Sequence, residues 1–126
     1  YNIFPFAIIG AGFSGLLVGY FFRLMGLNFV IIEKASDVGG TWYWNTYPGL
    51  SCDIPSYLYS YSNFLNNKWT NTFPAGTQIH KYLQRFYKYA RLEKYTKFNT
   101  EVTKAIWNDA SKRWQITTIY EVGCYG

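Results

Sequence analysis

Four residues in this chain have the types and spacing to do chemistry together. Gly10, Gly12 and Gly15 form a GxGxxG pattern, and Glu33 follows at the distance, about 20 residues, that a dinucleotide-binding βαβ unit uses. Gly10 allows a sharp turn, Gly12 lets the backbone approach a pyrophosphate with no Cβ in the way, and Gly15 lets a helix lie close to a sheet. A helix start there offers N–H groups and a positive dipole end to phosphates. Glu33 then supplies a carboxylate that can accept hydrogen bonds from ribose hydroxyls. An acid at that point disfavours a 2′-phosphate, so NADP is not expected at this site.

The elements needed to position these residues are legible around them. Phe6 to Ile9 is an apolar run that reads as a strand ahead of the turn. An apolar stretch ending at Gly26 reads as the helix, and Phe29 to Ile32 as a second strand closing on Glu33. A membrane helix is the rival reading, because Phe6 to Phe22 carries no charge and Gly15-x-x-x-Gly19 is a helix-pairing motif. That span is at the lower limit for crossing a bilayer, is interrupted by glycines and has no basic residue before it. The same glycine pair, one turn apart, equally suits a helix pressed onto a sheet.

The chain has 126 residues, enough for one domain with a modest core. Aromatics make up 22%, which excludes a disordered segment. Twelve basic against seven acidic residues give a net charge of +5. Basic charge with many aromatics also suits single-stranded nucleic acid, but the Lys and Arg residues are scattered from Lys68 onward and form no long run. A dinucleotide is itself anionic, so charge does not decide between them, and a nucleic-acid partner is not expected. Two cysteines, Cys52 and Cys124, are too few for a disulfide framework and suggest reduced thiols and a cytoplasmic setting. The first residue is not Met, so a segment or processed product rather than a whole reading frame is expected.

Further along, Val38-Gly39-Gly40-Thr41-Trp42-Tyr43-Trp44 reads as a loop that turns and then presents aromatic surface. Tyr47-Pro48-Gly49 is a turn, followed by Cys52-Asp53-Ile54-Pro55-Ser56 and alternating Tyr57, Tyr59 and Tyr61. Thr77 is placed to cap a helix running to Tyr89 or Ala90, with Ile79, Tyr82, Leu83, Phe86, Tyr87 and Ala90 on one face. His80, the only histidine, has no Cys or acid at metal-ligand spacing and reads as a surface residue. Phe98 to Thr103 reads as a strand, and Ala105–Trp107 with Arg113–Tyr120 as a β-hairpin around Asn108 to Lys112.

These blocks together resemble the opening of a flavin-dependent monooxygenase: the glycine pattern, Val30-Ile31-Ile32-Glu33-Lys34, the Gly-Gly-Thr-Trp block, Tyr47-Pro48-Gly49 and Cys52-Asp53. Within that superfamily the chain is most similar to Baeyer–Villiger monooxygenases, over about Phe6 to Thr118. The resemblance implies an α/β, Rossmann-like FAD/NAD(P)-binding fold, incomplete, with a small hairpin excursion near the C-terminus. Residues 1–126 would form the N-terminal portion of an FAD-binding domain, with no second domain. Gly10, Gly12, Phe13, Ser14 and Gly15 would line the FAD pyrophosphate, with Glu33 on the adenosine ribose and Lys34 beside it. Gly40, Thr41 and Trp42 would pass along the diphosphate and ribityl chain, and the Val102 backbone would meet the adenine. Asp53, the one candidate catalytic residue, and Tyr59 would sit near the flavin ring.

Each assignment has a plainer rival: core packing for Trp42, Trp44, Tyr59 and Val102, and turn chemistry for Asp53. The chain departs from the family at Thr46 and Ser51, positions that are often basic. It also lacks a second GxGxxG for NADPH, the FxGxxxHxxxWP-type signature and an Ala-Thr-Gly-like turn after the hairpin. A full relative would use NADPH, FAD and O2 to deliver one oxygen to a small-molecule ketone or soft nitrogen or sulfur centre. The alternative is a non-catalytic FAD-binding module. No Ser/His/Asp, Cys/His or metal constellation points elsewhere.

Overall fold

A computed structural model describes residues 3–44 and 76–120. It begins with strand β1 (Phe6–Ile9), helix α1 (Phe13–Leu24) and strand β2 (Phe29–Ile32), the right-sized parts for one parallel crossover. β1 and β2 run parallel, with Phe6 opposite Phe29 and Ile9 opposite Ile32. All four residues of β2 are buried, as a continuous apolar run in a parallel sheet requires. A third strand, β3 (Thr96–Lys97), pairs with the other side of β2 and makes the order β1-β2-β3. Its two residues follow a short 3₁₀ turn, Glu93–Tyr95. No periodicity marks so short a strand; it exists because Ile31 and Ile32 offer it a partner.

Helix α3 (Gly76–Ala90) packs beside α1 on the sheet. Its apolar period is the expected one: Ile79, Tyr82, Leu83, Phe86 and Ala90 are buried, and Tyr87 is half-buried. Thr77, expected as the cap, lies inside the helix and is exposed. The Tyr20 ring of α1 meets Phe86 at 5.6 Å and Tyr89 at 5.8 Å, and Phe13 stacks on Tyr82 at 6.1 Å. Arg23 of α1 donates from Nε to the Ala90 carbonyl, the last residue of α3. Arg91, next in the chain, takes the left-handed conformation (φ 55°) that ends many helices. Below the helices, Phe29 stacks almost flat on Tyr95, 4.3 Å between ring centres.

The close fit of α1 to the sheet comes from its two glycines. A Cβ on Gly19 would stand 2.9 Å from Ile31 Cδ1, and one on Gly15 would strike the Gly10 carbonyl oxygen at 2.0 Å. The pair therefore serves contact between helix and sheet, and no helix among the described residues is long and apolar enough to cross a membrane.

The hairpin is β4 (Thr100–Asn108) and β5 (Arg113–Tyr120), antiparallel, with a bulge between Val102 and Lys104. Trp107 faces Trp114 across it at 5.6 Å, but both rings are largely exposed. Its root is fixed to the end of β2: Asn99 N–H donates to the Ala35 carbonyl at 2.9 Å and Thr100 N–H to the Glu33 carbonyl at 3.0 Å.

Candidate functional site

At the C-terminal end of the sheet the chain leaves β1 through Gly10, whose φ of +99° a side chain would resist. Gly10 N–H still donates to the Ile32 carbonyl at 2.8 Å, so the turn begins on the strand pair itself. Gly12 is the N-cap of α1, and no side chain caps that end. No acid occupies the first turn of α1. The first intrahelical bond runs from Leu16 N–H to the Gly12 carbonyl, which leaves the amides of Ser14 and Gly15 ahead of it, pointing out of the helix end. Ser14 itself is exposed. A helix start with no side-chain cap and no acid in its first turn offers an anion both donors and a favourable dipole end.

The second wall is the Gly39-Gly40 turn, built on positive φ at both residues (131° and 55°). Gly39 N–H donates to the Ala11 carbonyl at 3.0 Å, tying this turn to the first. The two backbones meet at Gly12 and Gly40: a Cβ on Gly12 would lie 3.6 Å from Gly40 Cα, and one on Gly40 would lie 3.1 Å from Gly12 Cα. Two glycines from separate loops thus touch at the helix start, with ordinary contact for a Cβ on Gly12 and a tight one for a Cβ on Gly40. The segment after them is a short helix, α2 (Thr41–Trp44), where the sequence suggested a loop. Its first turn is set by Trp42 N–H to the Gly39 carbonyl and Tyr43 N–H to the Gly40 carbonyl. Trp42 is half-buried against the core, whereas Trp44 is 55% exposed.

Glu33 closes the floor and braces it. It is only 5% exposed. One carboxylate oxygen accepts the Ala11 N–H at 2.8 Å and the other accepts the Ala35 N–H at 2.8 Å. The acid holds the glycine turn to the end of β2 before any ligand arrives. An ionised carboxylate offers about four acceptor sites, so each oxygen keeps capacity for a hydroxyl donor. Lys34 points away from this floor, toward Glu101 Oε1 of the hairpin at 3.6 Å and the Trp44 ring at 6.0 Å.

Val102 lies on β4, two residues past the Thr100 bond to β2, half-buried beside the bulge. Asp53 and Tyr59 fall outside the described residues, as do Thr46 and Ser51. Among the described residues there is no His, Cys, Asp and Glu grouping able to hold a metal ion.

His80 corrects the sequence reading. It is a part-buried residue with partners rather than a plain surface one: its side chain is 24% exposed, its Nε2 lies 2.9 Å from the Val38 carbonyl, and the same atom lies 3.4 Å from Asp37 Oδ2. Gln84, one turn on, donates to Asp37 Oδ2 at 2.6 Å, and Asp37 Oδ1 accepts the Val38 N–H at 2.7 Å. The signal available in the sequence was that His80, Leu83 and Tyr87 share one stripe of α3; its partners are 42 and more residues away and cannot be read locally. Further along that stripe, burial pushes the Tyr87 phenol above its usual range, with a hydrogen bond to Thr96 opposing, so it stays neutral near pH 7.

With this geometry in place, the comparisons with known proteins agree on one group. Residues 8–90 match the family model described as NAD(P)-binding Rossmann-like domain. A Baeyer–Villiger monooxygenase of Streptomyces coelicolor is 40% identical over 114 residues, which is 90% of this chain and 22% of the relative. Among solved structures, cyclohexanone monooxygenase in an open form superposes with a TM-score of 0.88 at 36% identity, covering 94% of this chain and 24% of that one. A structure described as OTEMO complexed with FAD and NADP superposes at 0.87 with 32% identity, covering 94% and 23%. The chain therefore spans under a quarter of the length of these relatives.

Proposed function

The chain belongs to the family of NAD(P)-binding Rossmann-like domains, and from that premise we propose that it is the FAD-binding part of an NADPH-dependent flavin monooxygenase. The observation that carries this is the meeting of Gly12 and Gly40 across an uncapped helix start, with Glu33 beneath. An extended, doubly charged pyrophosphate suits a helix start flanked by two bare backbones in contact, where no side chain stands in the way of its oxygens. The likeness to Baeyer–Villiger monooxygenases, at 40% identity, supports FAD as the dinucleotide, and Gly40 of the Gly-Gly-Thr-Trp block lies against Gly12.

In this reading the amides of Phe13, Ser14 and Gly15 donate to the pyrophosphate, and Gly10 makes the turn that aims them. Glu33 accepts from the adenosine ribose with the lone pairs that Ala11 and Ala35 leave free, and Lys34 stands at the rim. Gly40, Thr41 and Trp42 flank the diphosphate and ribityl chain, and the Val102 backbone meets the adenine. Asp53 and Tyr59 would lie by the flavin ring, Asp53 as the catalytic candidate. The chemistry a bound FAD would supply, with NADPH as reductant, is the activation of O2 for transfer of one oxygen atom to a ketone or a soft nitrogen or sulfur centre. The protein's share is binding, orientation and exclusion of water. The nicotinamide site and the substrate pocket would be supplied by sequence other than these 126 residues, and a reducing, cytoplasmic setting suits two cysteines.

The test is an absorbance spectrum of the purified chain after incubation with FAD and desalting. Retained flavin bands are expected. Gly12→Ala should weaken them with the fold retained in circular dichroism, because a Cβ at Gly12 meets its neighbour at an ordinary 3.6 Å. Flavin retained without NADPH oxidation would mark a cofactor-binding part that does not turn over alone. A folded, colourless chain would reject the FAD reading.

A further inference from the structure

Helix α3 contributes no residue to the cradle in any reading made from the sequence, yet it grips one of the cradle's walls. The grip has two points. A carbonyl only accepts, so His80 Nε2, 2.9 Å from the Val38 oxygen, carries its proton toward the loop. A carboxylate likewise only accepts, so the Gln84 amide nitrogen donates to Asp37 Oδ2 at 2.6 Å. Asp37 in turn takes the Val38 N–H on its other oxygen, so both ends of the Asp37-Val38 unit are held from α3.

The residue that follows is pinned between the clamp and the glycine turn. A Cβ on Gly39 would lie 2.8 Å from His80 Cδ2, so the imidazole rests against the Gly39 backbone. The Gly39 N–H reaches the Ala11 carbonyl on the opposite side at 3.0 Å. Gly40, the next residue, is the one whose Cα meets Gly12. We propose that His80, with Gln84, is a positioning residue that sets the distance between the Gly40 and Gly12 backbones from α3, and so sets the fit of the pyrophosphate. The proposal rests on the FAD reading above and adds to it an element that touches no ligand.

Two variants separate positioning from plain packing. His80→Leu keeps bulk but removes the donor, and His80→Gln restores an N–H at similar reach. Amide exchange on the unliganded chain reads the loop at Gly39 and the whole fold at Ile31. His80→Leu should speed exchange at Gly39 at least about tenfold with Ile31 unchanged, and His80→Gln should return it toward wild type. FAD dissociation constants should follow the same order, roughly tenfold weaker for His80→Leu and within about threefold for His80→Gln. Unchanged protection at Gly39 overturns the proposal, and so does a released loop that binds FAD as well as wild type. A wild-type chain that protects Gly39 yet takes no FAD overturns the FAD reading, and the clamp's role in it, without appeal to the variants. Where His80→Leu costs the fold, Gln84→Leu removes the second point and is judged by the same two results.

Discussion

The chain reverses sharply at Gly10–Gly15 and again at Asn108–Lys112, and the two turns are held by opposite means. The first is made by what is missing: with no side chains on its glycines, backbone meets backbone, and a single buried acid, Glu33, ties it to the sheet. The second is made by what is present. Asn108 Oδ1 accepts the Ala110 and Ser111 N–H groups at 3.0 and 3.1 Å, Lys112 adopts φ 53°, and its ammonium reaches Asp109 at 2.8 Å. A solvent turn can afford polar side chains because water satisfies whatever they leave over. A turn that must present its own N–H groups to an anion cannot, since each side chain would either cap those groups or fill the space in front of them. The same contrast separates the two halves of the molecule: β2 is buried throughout, while the hairpin leaves both tryptophans exposed.

The contrast is broken most forcefully at Gly15. A methyl there would overlap the Gly10 carbonyl at 2.0 Å, and that atom belongs to the backbone of the turn itself, so nothing flexible can yield. Gly15→Ala should cost more than about 3 kcal/mol, seen as a collapsed melting transition in circular dichroism. A variant as stable as wild type would show that the turn tolerates side chains after all. Next in size is Glu33→Gln, which keeps the volume but sets an amide NH2 against a backbone N–H in a buried place. It should lower stability by about 2 kcal/mol, measured from the urea midpoint. An unchanged midpoint would mean that Ala11 and Ala35 find other acceptors and that Glu33 does not hold the turn.

How much of this was legible in the sequence follows from the range of each interaction. β1, α1 and β2 were readable because apolar runs and glycine spacing are local signals, and α3 because its buried face repeats at helical period. The hairpin was readable from its alternation and its Asn-Asp turn. β3 was not, because two residues become a strand only when Ile31 and Ile32 offer an edge. α2 was missed because paired glycines ahead of aromatics look like a loop, while the helix is closed by the Gly39 and Gly40 carbonyls. His80 was misread for the same reason of range, since its partners lie in the loop after β2. For the cradle, the sequence pointed to Gly10, Gly12, Gly15, Glu33 and Gly40, which the fold gathers at one end of the sheet, but not to Glu33 bracing the turn or Gly12 and Gly40 touching.

The smallest effect belongs to the solvent turn, where it sharpens the comparison rather than threatens it. Asn108→Ala removes the acceptor of two exposed amides, both of which water can then serve, so the loss is the net value of the bonds and not a desolvation penalty. About 1 kcal/mol is expected from the same urea titration, with flavin retention unchanged. A cost approaching that of Gly15→Ala would mean that the hairpin turn is as tightly specified as the glycine turn. Exposed polar turns would then contribute to this fold as much as buried bare ones. A flavin loss without a stability loss would instead connect the hairpin to the cradle, through bridges such as the Asn99 and Thr100 bonds at the end of β2 and the Lys34–Glu101 pair.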